Sequence, residues 1–148
     1  MRKQLLGLAI IGLFSTLNVG SVQAQTGYRI QINIPFGFTA GESSLRAGIY
    51  TVEQISDNTL LVRSIDGKKG VLLLTRATEP VGTEKTARII FNRYGDRYFL
   101  SQAWVSGGDV GRELHPSGAE RRLAKGLSLA KGDAKSQKVQ VAVRRTVQ

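Results

Sequence analysis

Residues 91–104, FNRYGDRYFLSQAW, set two arginines among five aromatic rings. Rings stack on bases and sugar faces while guanidinium groups hold anions, so this composition suits a ligand-reading surface. Arg93, Tyr94, Arg97 and Tyr98, at its centre, are the candidate ligand residues. The competing reading is a hairpin whose rings pack inward and whose charges face water. Strand alternation favours the hairpin, because most of the rings fall on one face.

Metal and nucleophile chemistry has less to draw on. His115 is the single histidine and stands directly before Pro116; imidazole metal sites usually need two or three. The chain has no cysteine, which removes thiol catalysis and thiolate zinc or iron–sulfur sites. Asp109 and Glu113 lie near His115 in sequence, but nothing marks a serine partner for a triad. Glu42, Asp57, Asp66, Glu79, Glu84, Asp96 and Asp109 are scattered over turns, where acids serve backbone geometry. A glycosidase pair is defined by spatial separation, which spacing along the chain does not give. GGDVG (107–111) lacks the lysine–serine or lysine–threonine pair of a phosphate loop and reads as a flexible connection. The expectation is no catalytic residue, no cofactor and no metal.

The elements that would position these residues are strands. YRIQINIPFGF (28–38) alternates without a break: Tyr28, Ile30, Ile32, Ile34, Phe36 and Phe38 against polar or small residues. This is a half-buried strand, and Pro35, which cannot donate to a ladder, places it at an edge or ends it. TAGESSLRAG (39–48) supplies turn residues, and GIYTVEQI (48–55) is a second strand. TLLVRSI (59–65) and VLLLTR (71–76) flank DGKKG as a hairpin, with apolar residues on both faces that suit central strands. In the next pair, Gly95-Asp96 fits a type II′ turn, which sets Tyr94 opposite Arg97, Arg93 opposite Tyr98, Phe91 opposite Leu100 and Ala87 opposite Trp104. Ile89, Phe91, Tyr98, Leu100 and Trp104 then form the core face. Arg88, Asn92, Arg97 and Ser101, with Ile90 and Phe99, form the other.

One helix follows. Ser117 and Glu120 have capping-box spacing after Pro116, and Ala119, Leu123 and Leu127 share a stripe, with Gly126 and Gly132 as alternative ends. KVQVAVRRTV (138–147) alternates like a last strand or an ordering tail. The fold class is therefore mainly β: a small antiparallel sandwich or partly closed barrel of six to seven strands with one short C-terminal helix.

The first residues address the chain. Arg2 and Lys3 precede an apolar run from Leu5 to Phe14, then small residues ending in Val22-Gln23-Ala24. This is the pattern of a signal peptide over residues 1–24, cut after Ala24, with an apolar run too short to span a bilayer. Residues 25–130 form one β domain with its late helix, and residues 131–148 a basic tail or last strand. No transmembrane segment is expected after cleavage, and the mature chain is exported, periplasmic or extracellular. Its stability must come from packing, not cross-links. The whole chain carries +10. Residues 25–111 are nearly balanced, so the excess belongs to the C-terminal quarter, where an anionic polymer or lipid surface would meet it.

Three stretches, IPFGFTAGESSLRAGIYTV (34–52), FNRYGDRYFLSQAW (91–104) and GRELHPSGAERRLAK (111–125), together resemble a family of small exported proteins abundant in acidobacterial genomes, whose activity is unassigned. This chain has Leu45-Arg46-Ala47-Gly48 where that family has Leu-Pro-Ala-Gly, one proline constraint fewer in a turn. The resemblance implies a common fold and an exported life, and it assigns no functional residues.

The function expected from all this is that of a non-catalytic envelope or extracellular binding domain, not an enzyme. Its partner would be an envelope protein or an anionic polymer, and export argues against nucleic acid. The alternatives are a small enzyme acting on envelope carbohydrate or peptide through turn carboxylates, and a binder of anionic polymer or lipid through the basic tail.

Overall fold

The computed structural model describes residues 28–80, 86–105, 110–131 and 135–143. The expected signal peptide, Glu84, Asp109, Gly132 and the last five residues of the tail lie outside the described residues.

Ten strands and one helix follow in order: β1 Arg29–Ile34, β2 Phe38–Ala40, β3 Ser43–Leu45, β4 Gly48–Ser56, β5 Thr59–Ser64, β6 Gly70–Thr78, β7 Arg88–Tyr94, β8 Arg97–Trp104, β9 Gly111–Leu114, α1 Gly118–Lys131 and β10 Gln137–Ala142. Antiparallel pairings run β1-β4-β5-β6-β9-β8-β7-β10, and the short β2–β3 hairpin joins β8 through a parallel pairing of Thr39 with Phe99. The sheet folds over on itself in a small sandwich-like unit but does not close into a barrel. No helix among the described residues is long and apolar enough to cross a membrane.

The core follows the two-residue period of the strands. Ile30, Ile32 and Ile34 are buried and alternate with exposed Arg29, Gln31 and Asn33. Tyr50, Val52, Leu60, Val62 and Leu73 continue the interior, with Ile89, Phe91 and Leu100 from the other half of the sheet. Phe38 links the halves, its ring edge-on to Tyr50 and to Phe91, with both centroid distances 5.3 Å.

The β7–β8 hairpin turns as expected at first. Gly95 has φ 64°, and Tyr94 faces Arg97, Arg93 faces Tyr98 and Phe91 faces Leu100. Beyond that point a β-bulge intervenes: Ile90 pairs with Gln102 while Phe91 pairs with Leu100, so Ser101 is an extra residue on β8. One extra residue reverses every later side chain. Trp104 therefore pairs with Arg88, not Ala87, and leaves the core face for the opposite one. That opposite face is not wet. Phe99, Ser101 and Trp104 are buried on it, and Arg88 is only 4% exposed, its guanidinium 4.6 Å from the centroid of the Trp104 ring.

Three further elements differ from the sequence reading. Residues 39–45, read as turn residues, form β2 and β3 together with Phe38, around Gly41, whose φ is 59°. Residues 111–114, of which the sequence reading gives Gly111 to the end of a flexible connection and the rest to no element, form β9 between β6 and β8. The helix passes through Gly126 and ends at Lys131, in keeping with the later of the two ends expected, and it differs from the sequence reading at its start. Its cap is half of a capping box: Ser117 Oγ accepts the Glu120 N–H at 3.1 Å, but the Glu120 carboxylate turns to the hairpin instead of back to Ser117. Glu42 supplies the missing anion, accepting the Gly118 N–H at 2.8 Å. Residues 138–142 of the last alternating stretch belong to a strand, β10, paired along β7.

Candidate functional site

The four hairpin residues do not form one surface. Arg93 and Tyr98 lie on the core side, where the guanidinium sits 5.4 Å from the Tyr98 centroid and Arg93 Nε donates to Gly95 O at 2.6 Å. Tyr98 also stacks on Phe36, with centroids 3.9 Å apart. Tyr94 and Arg97 lie on the opposite side, each against Phe99. The Tyr94 hydroxyl donates to Glu120 Oε1 at 3.3 Å, and Asn92 Nδ2 donates to the same oxygen at 2.7 Å. Burial, together with the neighbouring Glu120 charge, holds the Tyr94 phenol above its ordinary pKa against an opposing hydrogen bond from Ser136. Each of the four has an internal partner.

The carboxylates are dispersed in the same way. Glu53 takes Arg29 at 2.6 Å, Glu113 takes Arg76 at 2.7 Å, and Asp57 lies 3.8 Å from Arg112. Burial works against the Glu113 anion, yet hydrogen bonds from Arg76 and Gln102 and the charges of Arg76 and Lys138 hold it below the usual carboxylate range. The Ser64 hydroxyl and the Lys68 N–H lower the Asp66 carboxyl. His115 is exposed. Among the described residues no three histidines or carboxylates gather where they could hold a metal.

What the fold does offer, among the described residues, is a strand edge with no strand beside it. Gln54 N–H donates to Tyr28 O at 2.9 Å, in register with the pairing of Ile30 with Val52 and Ile32 with Tyr50. Hydrogen-bonded pairs alternate along an antiparallel ladder, so residues 28, 30, 32 and 34 face β4. Arg29, Gln31 and Asn33 therefore turn their N–H and C=O outward, and among the described residues no strand pairs with that edge. Pro35 ends the outward row where the next N–H would stand.

Across from this edge lies β10, the other end of the antiparallel series. Val143 N–H donates to Ala87 O at 3.0 Å, which fixes the β10 register on β7 and turns the backbone of Lys138, Gln140 and Ala142 toward β1. Between the two strands runs a groove of about 770 Å³. Ile32 and Phe36 line it on one side, Val139 and Val141 on the other, and all four pack against the core. Gln31 and Asn33 stand at its rim. A strand laid against β1 would find open donors and acceptors beside it and an apolar floor below.

Sequence reasoning found only a trace of this seam. Pro35 marked β1 as an edge strand, but which strand would face it depends on the long-range order of the sheet. No protein-family model matches this chain, and no curated protein or solved structure is significantly similar to it.

Proposed function

We propose that this chain is a non-catalytic domain that works outside the cytoplasm and captures an extended segment of a partner protein in the seam between β1 and β10. The observation that carries the reading is the outward backbone row of Arg29, Gln31 and Asn33 beside a groove floored by Ile32, Phe36, Val139 and Val141. Main-chain hydrogen bonds give such a site affinity for any extended strand, and pockets for alternate side chains give selectivity. The partner segment would carry apolar residues at every second position, to meet Ile32, Val139 and Val141. The charged start and cleavage pattern of residues 1–24 support export, as does the resemblance carried by residues 34–52, 91–104 and 111–125. The engagement of Glu42, Glu53, Asp57, Asp66, Glu113 and Glu120 with separate partners supports binding over catalysis.

Selection of random extended peptides on the chain from Gln25 onward tests the reading. Selected peptides should alternate apolar and polar residues and lose binding to Gln31→Pro, which removes an outward donor at an edge position where proline is tolerated. Binding that survives Gln31→Pro, in a variant with unchanged thermal melting, would remove the seam from the account.

A further inference from the structure

The face of β4, β5 and β6 turned away from the core is apolar. Ile49, Ile55, Ile65, Leu72 and Leu74 are all exposed on it, Ile65 by 58%, Leu72 by 67% and Leu74 by 76%. Single exposed aliphatics are ordinary, but a contiguous set marks an interaction surface. These form two neighbouring sets, Ile49 with Ile65 and Leu72 with Leu74, on either side of Arg63. Leu72 pairs with half-buried Leu61, Leu74 pairs with Thr59, and Ile65 N–H donates to Ile49 O at 3.0 Å. Ile55 follows Ile49 and Glu53 by the strand period and sits at a bulge on β4.

Cations border this face. Arg63 stands between the Ile49–Ile65 and Leu61–Leu72 pairs, and Lys68 and Lys69 extend the hairpin tip beside Arg46, around a hollow of about 710 Å³ floored by Ile49 and Ile65. The acids nearby are engaged. Glu53 is bonded to Arg29 and Glu113 to Arg76, and the Asp66 carboxylate accepts the Ser64 hydroxyl and the Lys68 N–H. The arrangement therefore sets exposed aliphatics on both sides of Arg63, with Arg46, Lys68 and Lys69 gathered at the Ile49–Ile65 end.

We propose that this face docks on an anionic lipid surface, with Ile65, Leu72 and Leu74 against the acyl boundary and Arg46, Arg63, Lys68 and Lys69 on the headgroups. Charge complementarity selects this occupant. A second copy of this face carries the same excess of cations and does not neutralise it, whereas an anionic bilayer meets all four at once. The exposed large hydrophobics of the patch are aliphatic, without the tyrosine and tryptophan anchors that concentrate binding in protein interfaces. Lysine stems can lie along the apolar layer while their ammonium groups stay at the headgroups. Ile49 borders the seam groove as well, but Ile65, Leu72, Leu74 and the four cations do not line it, so the seam reading does not carry this one.

Co-sedimentation of residues 25–148 with vesicles of phosphatidylglycerol and phosphatidylcholine in equal parts, against vesicles of phosphatidylcholine alone, tests the proposal. Binding should require the anionic lipid. Lys68→Gln with Lys69→Gln should weaken it by about 25-fold at low salt, roughly fivefold for each charge near the surface. Leu72→Ser with Leu74→Ser should weaken it comparably while melting stays unchanged, because both side chains are exposed and support no core contact. The basic tail remains in every variant, so retention of full binding by the leucine variant would assign the affinity to the tail and overturn the proposal. So would a stable dimer in sedimentation equilibrium that the leucine substitutions dissolve.

Discussion

Phe36 and Tyr98 stack face to face, with ring centroids 3.9 Å apart and planes 15° from parallel. Phe36 follows the end of β1, and Tyr98 stands next to the tip of the β7–β8 hairpin, so this contact pins one end of the seam to the opposite half of the sheet. Phe36 also meets Phe91 edge-on at 5.1 Å.

If the stack holds that end, the two rings should be coupled. In a double-mutant cycle of Phe36→Ala and Tyr98→Ala, urea unfolding should give a coupling energy of about 1 kcal/mol beyond the separate losses. Additive effects would mean that each ring packs independently.

Two glycines should respond oppositely to alanine. A Cβ on Gly111 would come within 2.6 Å of the Trp104 ring, which is buried among Arg88 and β9 and has no room to yield. Gly111→Ala should cost about 1–3 kcal/mol through overpacking. Gly126 lies within α1 with nothing near its would-be Cβ. Gly126→Ala should therefore stabilise by about 0.5–1 kcal/mol through helix propensity. Thermal melting of both variants reads the difference in sign.

Glu113 gives the fold an acid-sensitive element. Its folded pKa lies below its unfolded value, so the stability it contributes is present above the unfolded value, about 4.3, and is lost as pH falls through the folded one. Unfolding midpoints should drop below about pH 4.5 in the natural chain. In Glu113→Gln that drop should be shallower, with lower stability at neutral pH because Arg76 loses its partner. Equal slopes in the two chains would contradict the assignment.

The helix start depends on residues far apart in sequence. Ser117→Ala should cost about 1 kcal/mol, as helix N-caps do. Glu42→Gln should cost less, because an amide oxygen can still accept the Gly118 N–H but carries no charge for the helix dipole. Urea unfolding at low salt separates the two.

Much of the fold was legible because burial and strand period coincide. Ile30, Ile32 and Ile34 face inward as alternation requires, and Gly95 closes a two-residue loop. What escaped was not local. The bulge at Ser101 has no glycine or proline to mark it; it moves Trp104 to a second buried layer that Arg88 and β9 complete. Residues 111–114 are too few to show a period, and they become a strand only because β6 and β8 offer edges to them. β5 and β6 are central in the sheet, as their apolar residues suggested. Their outer side is open, however, so their apolar character on both faces reflects an exposed patch as well as burial. At the hairpin tip the residue types suggested a ligand surface, while the structure distributes Arg93 and Tyr98 to one side and Tyr94 and Arg97 to the other. The seam was hidden because an open edge is a property of sheet order, not of the strand that bears it.

Amide hydrogen exchange of β1, followed residue by residue by NMR in the free chain, tests the open edge most directly. The N–H groups of Ile30 and Ile32 should be strongly protected by β4, and those of Gln31 and Asn33 should exchange orders of magnitude faster. Equal protection of all four would mean that β1 is already paired on both sides and that no seam awaits a partner strand.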